Sequence, residues 1–168
     1  MNTGQMLITL AALTLVSITI LNHNRSSITT KESITYSKEF IVATSIGQSL
    51  LDEISNKSFD ENIINGNTIL SAGNFSTLLK SETGEAYPDF DDVDDYNLYS
   101  RAEDIPQMGS FNLTVSVNYV TDTFQKTLSN TYNKNVTIKI TNDALVNPYN
   151  SLPDTVVVSS IFSQWVML

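Results

Sequence analysis

Five carboxylates fall within seven residues in the stretch "PDFDDVDDYN", at Asp89, Asp91, Asp92, Asp94 and Asp95. Oxygen donors at that density are the chemistry of a hard divalent cation, Ca²⁺ above all. The EF-hand register does not fit, because that loop alternates its ligands and then needs glycine, and Val93 and Tyr96 interrupt every frame. The same run also reads as a solvated loop or a set of turn and helix caps, with Phe90, Val93 and Tyr96 anchoring it to a core. Both readings stand at this stage.

Other chemistry is sparse. The chain has no cysteine, which excludes a disulfide scaffold, a thiolate metal site and a cysteine nucleophile. Its one histidine, His23, follows an apolar run with no Cys or acidic neighbour, the position of an interfacial residue rather than a catalyst. The adjacent loop carboxylates give no sign of a pocket that would separate an acid from a base, and no glycine-rich phosphate loop occurs. No enzyme activity and no cofactor are expected. The formal net charge of −9 argues against a nucleic-acid partner, which needs a basic footprint. It argues equally against docking on an anionic membrane by charge.

Any site must be carried by a long helix and a sheet. Residues 6–21, "MLITLAALTLVSITIL", hold no charge, proline or glycine. At about 1.5 Å per residue this run spans about 24 Å, and the uncharged stretch to Asn24 about 36 Å, which brackets a bilayer core of roughly 30 Å. Apolar residues lie on nearly all sides, so the helix must be buried on all sides, by lipid or by neighbouring helices. Thr9, Thr14, Ser17 and Thr19 either bond back to their own helix or join helices to each other. A cleaved secretory signal is disfavoured, because "MNTGQ" has no Lys or Arg and "NHNRSS" offers no small-residue cleavage pattern. Arg25 and Lys31 follow the run, which by the positive-inside rule pulls the rest of the chain toward the cytoplasm.

From Tyr36 the pattern becomes amphipathic. Tyr36, Phe40, Ala43, Gly47, Leu50 and Ile54 recur at spacings of three and four, one face of a helix. Lys38, Glu39, Gln48, Asp52 and Glu53 fall on the other face. One helix is therefore expected over about residues 5–56, roughly 75 Å long. Its weakest part is 22–35, where Ser and Thr compete for backbone bonds. Gly47 on the apolar face points to close packing, or else to local flexibility.

Three strands are expected after it. "FNLTVSVNYV" (111–120) alternates strictly, with Phe111, Leu113, Val115, Val117 and Tyr119 on one side. "NVTIKIT" (135–141) repeats the alternation, and "TVVVSSIFSQWVML" (155–168) is a longer apolar strand. "SNTYNKN" and "NDALVNPYNSLPD" read as turns between them. Strands so close in sequence favour an antiparallel meander. The expected fold is α+β: a long N-terminal helix, apolar in its first half and amphipathic in its second, packed on a small antiparallel sheet. The expected division is an apolar membrane or filament-core helix over 1–25, its amphipathic continuation over 26–57, and a β-rich head over 58–168.

This architecture resembles the type IV pilins and pilin-like pseudopilins. "SIGQSLLDEISNKSFDE" (45–61) is similar to the end of the long helix in the minor-pilin-like branch, and "FDDVDDYN" (90–97) resembles the acidic motif that follows there. The closing order, a strand ending in Tyr-Val, then "VTIKIT", then "TVVVSSIFS", also matches, so the resemblance covers nearly the whole chain. It implies a structural subunit of an extracellular filament, a homopolymer in helical array. The subunit would wait in the inner (cytoplasmic) membrane and be handled by a prepilin peptidase and the pilus assembly machinery. A minor pseudopilin of a secretion or assembly machine is the alternative it leaves open. A single-pass anchored surface binding module is the alternative from outside the family.

The resemblance also implies residue roles. Met6, Leu7, Leu10, Leu13, Val16 and Ile20 would pack the filament core. Tyr36, Phe40, Leu50 and Ile54 would fasten the helix to the sheet. Family members carry a basic leader ending in Gly and a Glu as fifth mature residue. Here "MNTGQ" aligns either with cleavage after Gly4, putting Thr9 in the Glu place, or with Met1 as first mature residue, putting Gln5 there. The second alignment is favoured, which makes Met1 and Gln5 the expected N-terminal assembly contact. The family's carboxylate is absent either way, and the disulfide-bounded C-terminal loop is absent for want of cysteine.

Overall fold

The computed structural model of the chain describes residues 2–164. It is an α+β fold in which one long helix, α1 (Thr3–Ser55), packs on a four-stranded antiparallel sheet. At about 1.5 Å per residue α1 is about 80 Å long. Residues 22–35 stay helical, and two of their hydroxyls take an internal partner: Thr29 Oγ1 donates to Arg25 O and Thr30 Oγ1 to Ser26 O. Such back-bonds satisfy a hydroxyl without melting the turn.

The strands are β1 (Ser100–Ile105), β2 (Gly109–Tyr119), β3 (Asn133–Val146) and β4 (Pro153–Ser163), in spatial order β1-β2-β3-β4. β1 was not among the three strands expected from sequence. It is an edge strand, "SRAEDI", in which no residue is fully buried, so it lacks the apolar alternation that marks β2. β3 also runs past the expected Thr141 through "NDALV". A bulge between Thr141 and Val146 shifts the register and brings Leu145 inward where Asn142 had been facing in. Of the expected third strand, residues 165–168 lie outside the described residues.

The inner face of the sheet follows from pleating. Leu113, Val115, Val117 and Tyr119 of β2 lie opposite Ile140, Ile138, Val136 and Lys134 of β3. The second half of α1 covers this face with Ala43, Gly47, Leu50, Leu51 and Ile54. Gly47 marks the closest approach: a Cβ there would sit 2.8 Å from Ile140 Cδ1 and 3.0 Å from Val158 Cγ2. Close packing thus accounts for the glycine, whose helical cost is about 1 kcal/mol relative to alanine.

Between helix and sheet, residues 56–99 fold into turns, a short helix α2 (Glu61–Ile64) and two 3-10 turns (Ala72–Asn74 and Asp94–Tyr96). Phe59, Phe75 and Tyr119 form a second small apolar cluster there.

Candidate functional site: the bare apolar rod and the acidic cluster

The first half of α1 is long and apolar enough to cross a membrane, and none of its apolar window is covered by the rest of the chain. Met6, Leu7, Leu10, Leu13, Val16 and Ile20 are all exposed, Leu13 by 65%. The four hydroxyls in this rod bond to their own helix: Thr9 to Met6 O, Thr14 to Ala11 O, Ser17 to Leu13 O and Thr19 to Leu15 O, each at 2.8–2.9 Å. Its surface toward any neighbour is therefore hydrocarbon. Gln5 is exposed, and its backbone N–H donates to the backbone carbonyl of Asn2. Met1 lies outside the described residues.

Farther along the helix, Leu50 and Ile54 are fully buried against the sheet. Tyr36 is half-buried and its hydroxyl donates to Asp154 Oδ2 at 2.7 Å, tying the helix to the start of β4. The same hydrogen bond holds the Asp154 carboxyl below the usual carboxylate range. Phe40 corrects the expected packing face. It is 43% exposed and does not enter the core. Glu39 takes the inward position instead, 4% exposed, although its charge had put it on the polar side. At about 100° per residue, positions 39 and 40 fall about 50° to either side of the stripe formed by 36, 43, 47, 50 and 54, and the sheet covers the side of Glu39. Burial raises the Glu39 carboxyl above its ordinary pKa, and its Oε2 has no hydrogen-bond partner. Phe40 and Ile41 then line a shallow groove with Thr44, Ser45, Gln48 and Asp52 on the uncovered side of α1.

The acidic run is not a solvated loop throughout. Asp89 and Asp91 are exposed, but Asp92, Asp94 and Asp95 are buried along with Phe90, Val93 and Tyr96. Two of the buried carboxylates cap backbone. Asp92 Oδ1 accepts from the N–H groups of Asp94 and Asp95 at 2.6 and 3.1 Å. Asp95 Oδ2 accepts from those of Asp91 and Asp92 at 3.0 and 3.1 Å. The segment is pinned to the end of α1, because Ser58 N–H donates to Asp91 O and Val93 N–H to Ser58 O.

The third buried carboxylate, Asp94, faces Lys134. Its Oδ1 lies 2.6 Å from Lys134 Nζ, and Asp60 Oδ2 lies 3.1 Å from the same nitrogen. Lys134 also donates to Phe59 O at 2.6 Å and sits 4.3 Å from the Phe59 ring centroid. Asp60 is held by further donors: the N–H groups of Asn62 and Ser76 and the Tyr119 hydroxyl. Burial drives the Asp94 carboxyl up to about 8 and the Asp92 carboxyl up to about 7, against the pull of the Lys134 ammonium. One cation thus joins the residue after Phe59, the acidic run and β3 into one knot.

The five carboxylates of the run do not converge on one point. Asp94 turns to Lys134, Asp92 caps the 3-10 turn, and Asp89 and Asp91 face solvent. Only Asp95 joins a further carboxylate group, with Glu82 and Glu85. Sequence reading missed Lys134, yet its signal was there: the inward alternation Ile140, Ile138, Val136 continues to position 134. Compared with protein-family models, curated proteins and solved structures, the chain gives no match.

Proposed function

We propose that this chain is a structural subunit of an extracellular filament of the type IV pilus kind. The apolar rod of α1 sits in the cytoplasmic membrane before assembly and in a bundle of sister helices afterwards. The observation that carries this reading is the rod itself. Ten large apolar side chains between Met6 and Leu21 stand exposed, and no part of the chain folds over them. Enclosing each is worth roughly 1.5–3 kcal/mol, so the isolated chain in water is far from its most stable state. Lipid and sister rods satisfy the same surface, which lets a subunit pass from one to the other. The head, acidic and rich in hydroxyls, keeps the polymer surface wet.

Leu13→Asp tests the reading. A carboxylate at the middle of the rod costs about 2.5–3.5 kcal/mol in an apolar surround, while the head, which Leu13 does not touch, stays folded. Electron microscopy should show no filaments from cells making this variant. Normal filaments would overturn the proposal. A parent chain that remains in the membrane fraction and yields no polymer would favour an anchored surface module instead.

A further inference from the structure

We propose that Lys134 and Asp94 condense in the folded chain to an isopeptide bond, with Asp60 as the proton carrier. Nζ of Lys134 lies 2.6 Å from Asp94 Oδ1 and 3.1 Å from Asp60 Oδ2. Cγ of Asp94 is one C–O bond of about 1.2 Å beyond its oxygen. Nitrogen and carbon are therefore within about 3.8 Å, close to the roughly 3–3.5 Å of a near-attack pair. The three side chains are shut away from water, Lys134 and Asp60 fully and Asp94 all but 2%. The Phe59 and Tyr119 rings flank the nitrogen, with centroids at 4.3 and 5.2 Å.

Proximity alone would make this an ion pair. The hydrogen bonds say more. Lys134 donates to Phe59 O and to Asp60 Oδ2, which leaves one position on the nitrogen for Asp94. Neither Asp94 oxygen receives a hydrogen bond of regular geometry, Oδ1 included, despite the 2.6 Å contact. The nitrogen rests against the carboxyl group without donating to it, and nearly all buried oxygens are better satisfied than this. Stability does not account for the arrangement, because a buried ion pair is often no better than apolar residues of the same volume. Burial pushes the Asp94 carboxyl up to about 8, which favours the protonated acid at neutral pH. A neutral acid, unlike a carboxylate, is open to attack at carbon. Asp60 is instead fixed by the N–H groups of Asn62 and Ser76 and by the Ser76 hydroxyl, which hold it as the bystander that moves a proton.

The atoms balance with no added reactant. Nζ gives one proton to Asp94, which leaves a free amine in a dry pocket, the state in which a lysine is a nucleophile. The Nζ lone pair attacks Cγ. Asp60 takes a second proton from Nζ and hands it to the Asp94 hydroxyl, which departs as water. Asp60 ends as it began, and the product is a secondary amide between Nζ and Cγ. Contact set by the fold replaces the entropy cost of bringing the groups together, worth effective concentrations on the order of 10⁵–10⁸ M in well-oriented pairs. The bond closes a covalent loop around β1 and β2 and fixes the acidic segment to β3. The ion pair is the state from which it forms.

The bond is independent of the filament reading and is tested on the dispersed full-length chain in detergent micelles. Tyrosine circular dichroism first verifies the fold, and the chain is then denatured for intact-mass measurement. Its mass should fall short of the sequence mass by one water. Trypsin should release a branched peptide joining residues 81–101 to residues 127–139, uncut at Lys134, with fragmentation placing the link at Asp94. Lys134→Met should show the full mass. Asp60→Asn should convert about a hundredfold more slowly, since a placed proton carrier is worth roughly 10²–10⁴-fold. A folded parent chain at the full sequence mass would overturn the proposal. So would a water loss confined to one unbranched peptide, the mark of a cyclic imide at an aspartate, or the same loss in Lys134→Met. Equal conversion by Asp60→Asn would strike Asp60 from the step.

Discussion

Lys134 Nζ lies 2.6 Å from Asp94 Oδ1 and 3.1 Å from Asp60 Oδ2, with the lysine and Asp60 side chains fully shut off from water. The two acids come from segments 34 positions apart in sequence, and the lysine from β3. Truncating the lysine strips the buried Asp60 and Asp94 of the donor they share. Lys134→Met should therefore lower the unfolding free energy by about 3–5 kcal/mol, the cost of breaking a buried pair from one side. Denaturant melts followed by tyrosine circular dichroism measure this; a loss under about 1 kcal/mol, typical of exposed pairs, would show the knot to be dispensable.

Glu39 presents the opposite case, a buried acid with no cation. Its folded-state pKa is raised by burial. The contribution it makes is therefore fully present when the carboxyl is protonated, below the ordinary glutamate range, and is lost as pH rises through the folded pKa. Glu39→Gln keeps the shape and removes the titration. The variant should melt higher than the parent at pH 7 and at the same temperature near pH 3, as two thermal scans would reveal. A variant that melts lower at pH 7 would mean that the charged form has a partner.

Phe40 and Leu50 separate the two uses of one helix. Leu50 is fully buried and Phe40 is 43% exposed. Leu50→Ala should cost about 2–5 kcal/mol of head stability, the range for a buried leucine. Phe40→Ser should leave the melting temperature of the dispersed chain within about a degree or two, since surface changes usually stay within about 0.5 kcal/mol. On the filament reading, the same Phe40→Ser should reduce the yield of sheared filaments, because the groove of Phe40 and Ile41 is then covered by a neighbour. Unchanged yield would confine assembly contacts to the rod.

The helix and the meander were legible because each has an unbroken period: uniform apolarity over 6–21, three-and-four spacing from Tyr36, and alternation in β2 and the first half of β3. β1 was not, since "SRAEDI" is a polar edge strand whose pairing partner, rather than its own pattern, makes it a strand. Phe40 and Glu39 fall about 50° to either side of the buried stripe, so spacing does not separate them; residue type points to Phe40, while the sheet covers the side of Glu39. In sequence the acidic run reads as a solvated loop, a set of caps or a cation loop. The caps at Asp92 and Asp95 are there, but the burial of Asp94 depends on Lys134, a lysine hidden in a strand that composition assigns to the surface. A charge compensated across 40 positions leaves no local trace.

The back-bonded hydroxyls of the rod have a mechanical consequence. With Thr9, Thr14, Ser17 and Thr19 already turned to their own carbonyls, the rod offers no latch at a fixed height. Whatever surrounds it grips by shape and dispersion, which vary smoothly with axial slip. Depth must be set from the other end, where Tyr36 and Asp154 hold the helix to the head. The rod behaves as a greased shaft and the head as its collar, so pulling force would be borne at the collar.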